Sequence, residues 1–280
     1  MLKKLIKYEW KHTGKVGGLM AILCVIVTFL GWLSFRSPMW QSVFDDSSYY
    51  SFHPLDFLSV VTLIMWIFLL IGLSYGMIIY LGVHFYKTMY TDQGYLTHTL
   101  PVKKSQLLVS KILVGGLWEL IIMALVILSV LVVTGSLVKE MLPDSYTMST
   151  FLDELGQVLR QIFRELETGR IINLTGWLIY MIATVIVGPF ATITILYGAI
   201  TVGQLFTKVR VLMAIVCYVG VGIVIQMLSS LIQSVAAFSV EQIDTYMDVT
   251  MNCSFFVNVI MAIALYFISR WIITNKLNME

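Results

Sequence analysis

The sequence predicts an all-α integral membrane protein with six transmembrane helices and with both termini in the cytoplasm. Three observations lead to this prediction: the composition, the length of the apolar runs, and the distribution of lysine and arginine. Hydrophobic residues make up 59% of the 280 residues and charged residues only 12%, whereas a typical soluble domain has about 25% charged residues. The mean hydropathy is +0.88. The net charge of +2 is too small to indicate a nucleic-acid partner.

The six spans are predicted from the apolar runs, because a helix that crosses a bilayer needs about 20 mainly apolar residues. Six runs reach roughly this length: 16–35, 57–83, 107–133, 171–197, 211–229 and 255–273. The first run is too long for the hydrophobic segment of a signal peptide and lacks its cleavage pattern, so we expect it to be retained. Residues 16–280 are therefore interpreted as a single transmembrane domain, preceded by an N-terminal segment of residues 1–15.

The N-terminal segment, LKKLIKYEWKHTGK, has the pattern of an amphipathic helix that lies in the headgroup plane. Its apolar residues recur at helical spacing, and they are Leu2, Leu5, Ile6 and Trp10. The remaining positions are rich in lysine, with Lys3, Lys4, Lys7 and Lys11. We expect Lys3, Lys4 and Lys7 to face anionic lipid and Trp10 to anchor the helix at the interface. The alternative is a frayed basic tail.

The orientation follows from the positive-inside rule. With six spans, 13 of the 18 basic residues lie on the side of the N-terminus, namely Lys3, Lys4, Lys7, Lys11, Lys15, Lys87, Lys103, Lys104, Lys111, Lys208, Arg210, Arg270 and Lys276. The other side holds the remaining five, Arg36, Lys139, Arg160, Arg164 and Arg170. This distribution predicts that both termini and the polar loop 84–106 lie in the cytoplasm.

Three connections are predicted to face outward. Residues 36–56 are short and polar, and residues 230–254 are half apolar and then acidic, so they are expected to dip into the outer leaflet with an irregular backbone. The insert 134–170 contains an apolar stripe from Phe151 to Leu166, and Thr150 with Asp153 resembles a capping box. We expect an external amphipathic helix over 150–170. It would lie on lipid, cap the pore, meet a second copy or pack on the span ends.

Few residues within the spans are candidates for a substrate path. Glu119 is the one ionisable residue well inside a span, where a charged group usually faces a bundle interior or a watery cavity. Three roles remain open for Glu119: contact with substrate, pairing with Lys111, and a hydrogen bond to a neighbouring helix. Gly188 and Pro189 interrupt the fourth run and would bend it. Glycines in two other runs are expected to permit close helix packing, and they are Gly115, Gly116, Gly220 and Gly222.

The sequence contains none of the common catalytic or nucleotide-binding motifs. It has no G-x-x-x-x-G-K-[ST], H-E-x-x-H, C-x-x-C or G-x-S-x-G pattern, and its four histidines are dispersed. We therefore expect no catalytic residue, no metal site and no cofactor in this chain. An ion-coupled carrier usually has several polar groups near the middle of the membrane, so energy for any transport is expected to come from a partner.

Two stretches resemble the permease subunit of a type-2 ABC exporter. One is the basic N-terminal helix with its Lys7-Tyr8-Glu9 core, and the other is FYKTMYTDQGYLTHTLPVKKSQLLVSKIL over 85–113. The second stretch is similar to the family pattern F-Y-K…D-x-G-Y-L-T…T-L-P-V…L-L-x-S-K. The matching residues are Phe85, Tyr86, Lys87, Asp92, Gly94, Tyr95, Leu96, Thr97, Thr99, Leu100, Pro101, Val102, Leu107, Leu108, Ser110 and Lys111. The insert 134–170 is longer than in the plainest members of that family.

The resemblance implies that the loop 84–106 docks on a separate ATPase subunit, which would bind ATP and Mg. The implied coupling residues are Tyr86, Lys87, Asp92, Gly94, Tyr95, Leu100 and Pro101. It also implies a second permease chain, identical or different, and a bacterial plasma membrane. The cargo would be an amphipathic peptide, a drug or a lipid-like molecule. Two other functions remain open at this point: an ATP-independent secondary carrier, and a sensory or interaction subunit centred on the external helix.

Overall fold

The computed structural model describes residues 2–35, 40, 54–91, 93–94, 102–141, 153, 156–157, 160, 164, 174–206, 209–239 and 243–275. Within these residues the regular backbone is helical and no strand occurs. The long helices are α1 (Leu2–Ser34), α2 (Pro54–Tyr90), α3 (Lys104–Met141), α4 (Leu174–Gly203), α5 (Arg210–Ser239) and α6 (Ile243–Asn275). All six are long and apolar enough to cross a membrane. The predicted all-α, multi-pass membrane protein is thus confirmed.

Helix α1 joins the N-terminal segment and the first apolar run in one element. We expected an interfacial helix ending at residue 15 and a separate span beginning at residue 16, but the helix continues through this point. The stretch contains glycines and no proline, and isolated glycines weaken a helix without ending it. The hydroxyl of Thr13 donates to the carbonyl of Glu9 (2.9 Å), within the same continuous helix. The location of the first turns in a headgroup plane stays a prediction.

Helices α2 and α3 both extend into the segment 84–106, which was expected to be a loop. Helix α2 continues to Tyr90 and helix α3 begins at Lys104. The polar residues after Val83 end the apolar run without ending the helix, because no proline or glycine occurs before Gly94. A turn follows α2, in which the Gly94 N–H donates to the Thr91 carbonyl (2.7 Å).

The last three helices also differ from the expected bounds. Helix α4 contains Pro189, which lacks the N–H that would bond the carbonyl of Val185, yet the helix continues on both sides.

Helix α5 extends to Ser239 and helix α6 begins at Ile243. The irregular backbone expected over 230–254 is therefore wrong for 230–239 and 243–254. These residues include no proline or glycine, and leucine, alanine and glutamine favour helix.

The insert 134–170 is described only in part. Helix α3 extends to Met141, and four polar residues of the insert, Asp153, Gln157, Arg160 and Arg164, have helical backbone and exposed side chains. The Arg160 Nε–H donates to the carbonyl of Gly156 (3.0 Å). Thr150 and the apolar stripe lie outside the described residues, so the external amphipathic helix stays a prediction.

The chain divides into two compact units. The first unit comprises Met1–Lys15, Met77–Leu120 and Thr175–Glu280. Close contact between α3 and α4 depends on glycine here: a Cβ at Gly115 would lie 2.8 Å from the Tyr197 hydroxyl, and one at Gly116 would collide with the Phe190 ring. Close packing at these two glycines is confirmed. A second cluster in this unit joins α4, α5 and α6 around Leu265.

The second unit comprises Val16–Gly76 and Ile121–Leu174. Its core is the cluster of Cys24, Val27, Phe35, Trp66, Leu70 and Val133. Trp66 fills a gap that only glycine leaves open, since a Cβ at Gly31 would lie 2.6 Å from its indole ring. The indole Nε1–H donates to the Ser129 hydroxyl (3.1 Å), which satisfies a buried polar group.

Helix α5 presents most of its apolar side chains outward, as expected for a helix in contact with lipid. Only 6% of the residues in its most apolar window are buried. A Cβ at Gly220 or Gly222 would meet no atom within 4 Å in the part of the chain that the structure describes. The prediction that these two glycines permit close packing is therefore wrong among the described residues.

Candidate functional site

A buried polar cluster joins three helices in the first unit. It consists of Glu9 of α1, His84 and Thr88 of α2, and Lys111 of α3. Glu9 lies on the half-buried side of α1 with Leu2, Leu5 and Ile6, which follows from its helical spacing relative to them. His84 and Thr88 are four residues apart and therefore share one face of α2. We call these four residues the polar cluster.

The carboxylate of Glu9 is the centre of the polar cluster. The Nζ of Lys111 donates to both of its oxygens, at 2.9 Å and 3.0 Å. The Nε2 of His84 lies 2.8 Å from Oε1, and it donates there because an ionised carboxylate only accepts. Lys111 also donates to the Thr88 hydroxyl (2.8 Å), which donates in turn to the His84 carbonyl (2.8 Å). The three donor sites of the ammonium are thereby satisfied.

The polar cluster is almost closed to solvent. The exposed fractions of the side chains are 3% for Lys111, 7% for His84 and 17% for Glu9. Moving two charges out of water is unfavourable, so such a pair adds little net stability compared with well-packed apolar residues. Removing one partner is different, because it leaves the other charge buried and unpaired, at a cost of about 3–5 kcal/mol. The arrangement therefore fixes geometry more than it raises stability.

Aromatic rings surround the polar cluster. The His12 ring lies 4.8 Å from that of His84, and the Tyr80 ring lies 6.0 Å from it. Trp10 stacks on Trp118 with the ring centroids 4.7 Å apart. Since the two tryptophans belong to α1 and α3, the stack adds apolar contact between the same two helices that the ion pair joins. Such aromatic pairs contribute about 0.5–1.5 kcal/mol beyond their buried area.

Further bonds tie together the helix ends near the segment 84–106. The Tyr90 hydroxyl, at the end of α2, donates to the Thr201 hydroxyl near the end of α4 (2.8 Å). The Nζ of Lys104, at the start of α3, donates to the carbonyl of Ile273 near the end of α6 (3.0 Å). Within the first unit, direct hydrogen bonds thus connect the end of α2 to the end of α4 and the start of α3 to the end of α6.

Only part of the predicted coupling set lies within the described residues. Tyr86 and Lys87 lie in α2, half-buried and exposed respectively, and Gly94 is buried in the turn that follows. A Cβ at Gly94 would lie 2.5 Å from the carbonyl oxygen of Met89, so glycine is required there. The other predicted coupling residues, Asp92, Tyr95, Leu100 and Pro101, lie outside the described residues.

The predicted substrate-path residues lie on helices that pack closely together. Glu119 follows Gly116 by one turn of α3, and Gly116 contacts Phe190, the residue after Pro189 in α4. The Oε2 of Glu119 and the Nε1 of Trp118 are buried with no hydrogen-bond partner among the described atoms. Glu119 does not pair with Lys111, because the ammonium of Lys111 is bound by Glu9 and Thr88.

The predicted interfacial residues fall on the outer face of α1. Lys3, Lys4 and Lys7 are exposed. Trp10 is 39% exposed although it stacks on Trp118, so one part of its ring contacts the protein and another is free. These side chains are available to lipid, and their predicted role as an anchor stays a prediction.

Sequence reasoning missed the polar cluster as a site. Glu9 was noted only as part of a family pattern, and His84 as the first residue of a polar loop. Lys111 was noted as part of the same pattern, as a basic residue of the cytoplasmic side and as a possible partner of Glu119. A signal was present, because Glu9 occupies the apolar side of α1, where an acid is unexpected. The partners of Glu9 are 75 and 102 residues away in sequence, so periodicity alone does not reveal them.

Two apolar grooves are lined by residues that the structure describes. A groove of about 450 Å³ lies between α1 and α3 in the second unit, and one of about 260 Å³ lies between α3, α4 and α6 in the first. Neither lining includes a charged side chain, so both suit hydrocarbon groups better than ions. Among the described residues, no group of three His, Cys, Asp or Glu side chains has the arrangement of a metal site.

Comparisons of this chain with family models, curated proteins and solved structures give no match.

Proposed function

We propose that this chain is the transmembrane permease subunit of an ATP-driven ABC exporter and couples to a separate ATPase through the segment 84–106. The observation that supports this most is the polar cluster. It joins Glu9, from the first stretch that resembles the family, to Lys111, from the second. Two stretches about 100 residues apart that resemble one family thus contact each other directly, around the ends of the proposed coupling segment.

The bonds between helix ends support the proposed orientation. Tyr90 bonds Thr201 and Lys104 bonds Ile273, so the ends of α2, α4 and α6 lie with the start of α3. This is the arrangement that six successive crossings with both termini on one side require. The excess of lysine and arginine at these same ends supports a cytoplasmic location for that side, and the membrane that we propose is a bacterial plasma membrane.

In the proposed complex the chain is not catalytic, and ATP with Mg binds to the partner. Lys87 and Lys103 are exposed within the coupling segment, one near each of its ends, and are available to the ATPase. A second permease chain completes the translocation path. The cargo is an amphipathic peptide, a drug or a lipid-like molecule, and the apolar grooves of both units support a cargo with hydrocarbon groups.

Photo-crosslinking tests this proposal. A benzophenone side chain is placed at Lys87 or at Lys103 in the full chain, which is expressed in its own host, and the membranes are irradiated. The matched control position is Phe238 near the C-terminal end of α5, a residue that is 94% exposed. We expect both test positions, and not the control, to capture a protein that is also labelled by a photoreactive ATP analogue. The proposal is contradicted if neither test position captures an ATP-binding protein.

One observation favours a second candidate, an ATP-independent carrier coupled to protons. The Oε2 of Glu119 is buried without a hydrogen-bond partner among the described atoms, and an intramembrane carboxyl is a common proton-binding group in carriers. This candidate predicts that liposomes containing only this chain and the internal pH dye pyranine acidify when a membrane potential is imposed. The acidification would disappear with Glu119→Gln. A permease that depends on an ATPase predicts no such flux.

A further inference from the structure

We propose that Glu9 is a positioning residue that makes the first 15 residues move as one body with the end of α2 and the start of α3, both of which lie in the segment 84–106. The start of α1 would then be part of the coupling apparatus, rather than a membrane anchor alone. The inference rests on the proposed function in so far as an ATPase drives the motion. The mechanical link itself does not depend on it.

Three helices converge on the carboxylate of Glu9. Glu9 receives a hydrogen bond from α2, through His84, and two from α3, through Lys111. Thr88 closes the arrangement by bonding both Lys111 and the backbone of α2. A displacement of either helix end therefore acts directly on Glu9, and through it on α1.

The contacts of Glu9 with His84 and Lys111 do not break readily. Lys111 is 3% exposed and His84 is 7% exposed, so separating them from Glu9 leaves charges buried without partners. This penalty lowers the population of the open state by about a hundredfold or more. A contact that is so unfavourable to break transmits motion rather than yielding to it.

The two sides of the first turns of α1 differ in chemistry. The exposed side has the lysines at positions 3, 4 and 7, which suit a lipid surface. The opposite side has Glu9 and the buried Thr13, which contact protein. Trp10 stacks on Trp118 of α3, and Gly14 packs near the same ring. A helix that served only as an anchor would not need a buried carboxylate facing two other helices.

Hydrogen exchange tests the link without any partner. The full chain is placed in lipid nanodiscs, and amide exchange over 2–15 is followed by mass spectrometry for wild type, Glu9→Gln, Lys111→Met and the double variant. Lys15→Gln is the matched control, because Lys15 lies on the same helix and is exposed. We expect Glu9→Gln to exchange at least about tenfold faster over 2–15, and the control to match wild type. Wild-type exchange in Glu9→Gln overturns the proposal.

The double variant separates positioning from a merely structural role. Replacing both charged partners removes the unpaired charge, so its thermal midpoint should return close to that of wild type. Its exchange over 2–15 should nevertheless remain faster, and stimulation of the ATPase that crosslinking identifies should remain low. If the double variant recovers stability, slow exchange and stimulation together, the polar cluster is only structural and the proposal is wrong. If no ATPase accompanies the chain, the proposed function fails, while the exchange experiment still decides the link.

Discussion

Gly115→Ala is expected to destabilise the protein by forcing α3 away from α4. The added Cβ would lie 2.8 Å from the Tyr197 hydroxyl oxygen and 3.0 Å from the Cγ2 of Ile193. Tyr197 cannot easily move aside, because it is 2% exposed and its ring stacks on Phe85 with the centroids 4.0 Å apart. The helices must therefore separate slightly or the rings must leave their preferred positions.

The magnitude follows from two opposing effects. Overpacking a well-packed interior costs about 1–3 kcal/mol, whereas replacing glycine by alanine within a helix recovers up to about 1 kcal/mol. Because Tyr197 is held in place, we expect the upper part of the overpacking range, about 2–3 kcal/mol, and the net loss at Gly115 is then about 1–2 kcal/mol. For a chain of this size the thermal midpoint falls by about 2–4 °C per kcal/mol, so the expected decrease is about 2–8 °C.

The assay is thermal unfolding of the purified chain in one detergent, followed by tryptophan fluorescence. The matched control is Gly220→Ala, where the new Cβ meets no described atom within 4 Å, and we expect its midpoint to be unchanged or higher. A second comparison uses Tyr197→Phe, which removes the atom nearest to the new Cβ. The double variant Gly115→Ala/Tyr197→Phe should be less destabilised than the sum of the two single changes.

Two results would refute this reasoning. One is a Gly115→Ala midpoint equal to or above that of Gly220→Ala, since the close contact would then be absent. The other is strict additivity of Gly115→Ala and Tyr197→Phe, since the hydroxyl would then not be the obstacle.

Three further predictions concern single polar groups. Tyr90→Phe removes the hydrogen bond between α2 and α4 and should cost about 0.5–1.5 kcal/mol in the same unfolding assay, whereas Tyr86→Phe, at a position that is half-buried like Tyr90, removes no hydrogen bond to a described residue and should cost less. Trp66→Phe leaves the buried Ser129 hydroxyl without its indole donor and should cost at least about 1 kcal/mol, and a midpoint equal to wild type would contradict the contact. Glu119→Gln should not lower the midpoint, because an amide is less costly to bury than an unpaired carboxylate.

The sequence predicted the class of the fold because that class depends on local chemistry. Apolar runs long enough to cross a bilayer are visible residue by residue, and all six became helices. The helix ends were less predictable, because a polar residue such as His84 ends an apolar run without breaking backbone hydrogen bonds. The close approach of α3 and α4 at Gly115 and Gly116 was predicted correctly, whereas Gly220 and Gly222 have the same local signal but no close neighbour among the residues that the structure describes.

The polar cluster depended on tertiary structure. The sequence alone marked Glu9, His84 and Lys111 as separate polar residues, and it offered Glu119 as a partner for Lys111 within the same helix. Packing decided otherwise, because the ammonium of Lys111 faces α1 and α2, where a carboxylate and a hydroxyl accept its hydrogen bonds. Composition and the length of the apolar runs thus determined that the described part of this chain forms six helices long and apolar enough to cross a membrane. Which of their few buried charges meet was decided by side-chain directions and contacts between residues far apart in sequence, for which a one-dimensional pattern contains no signal.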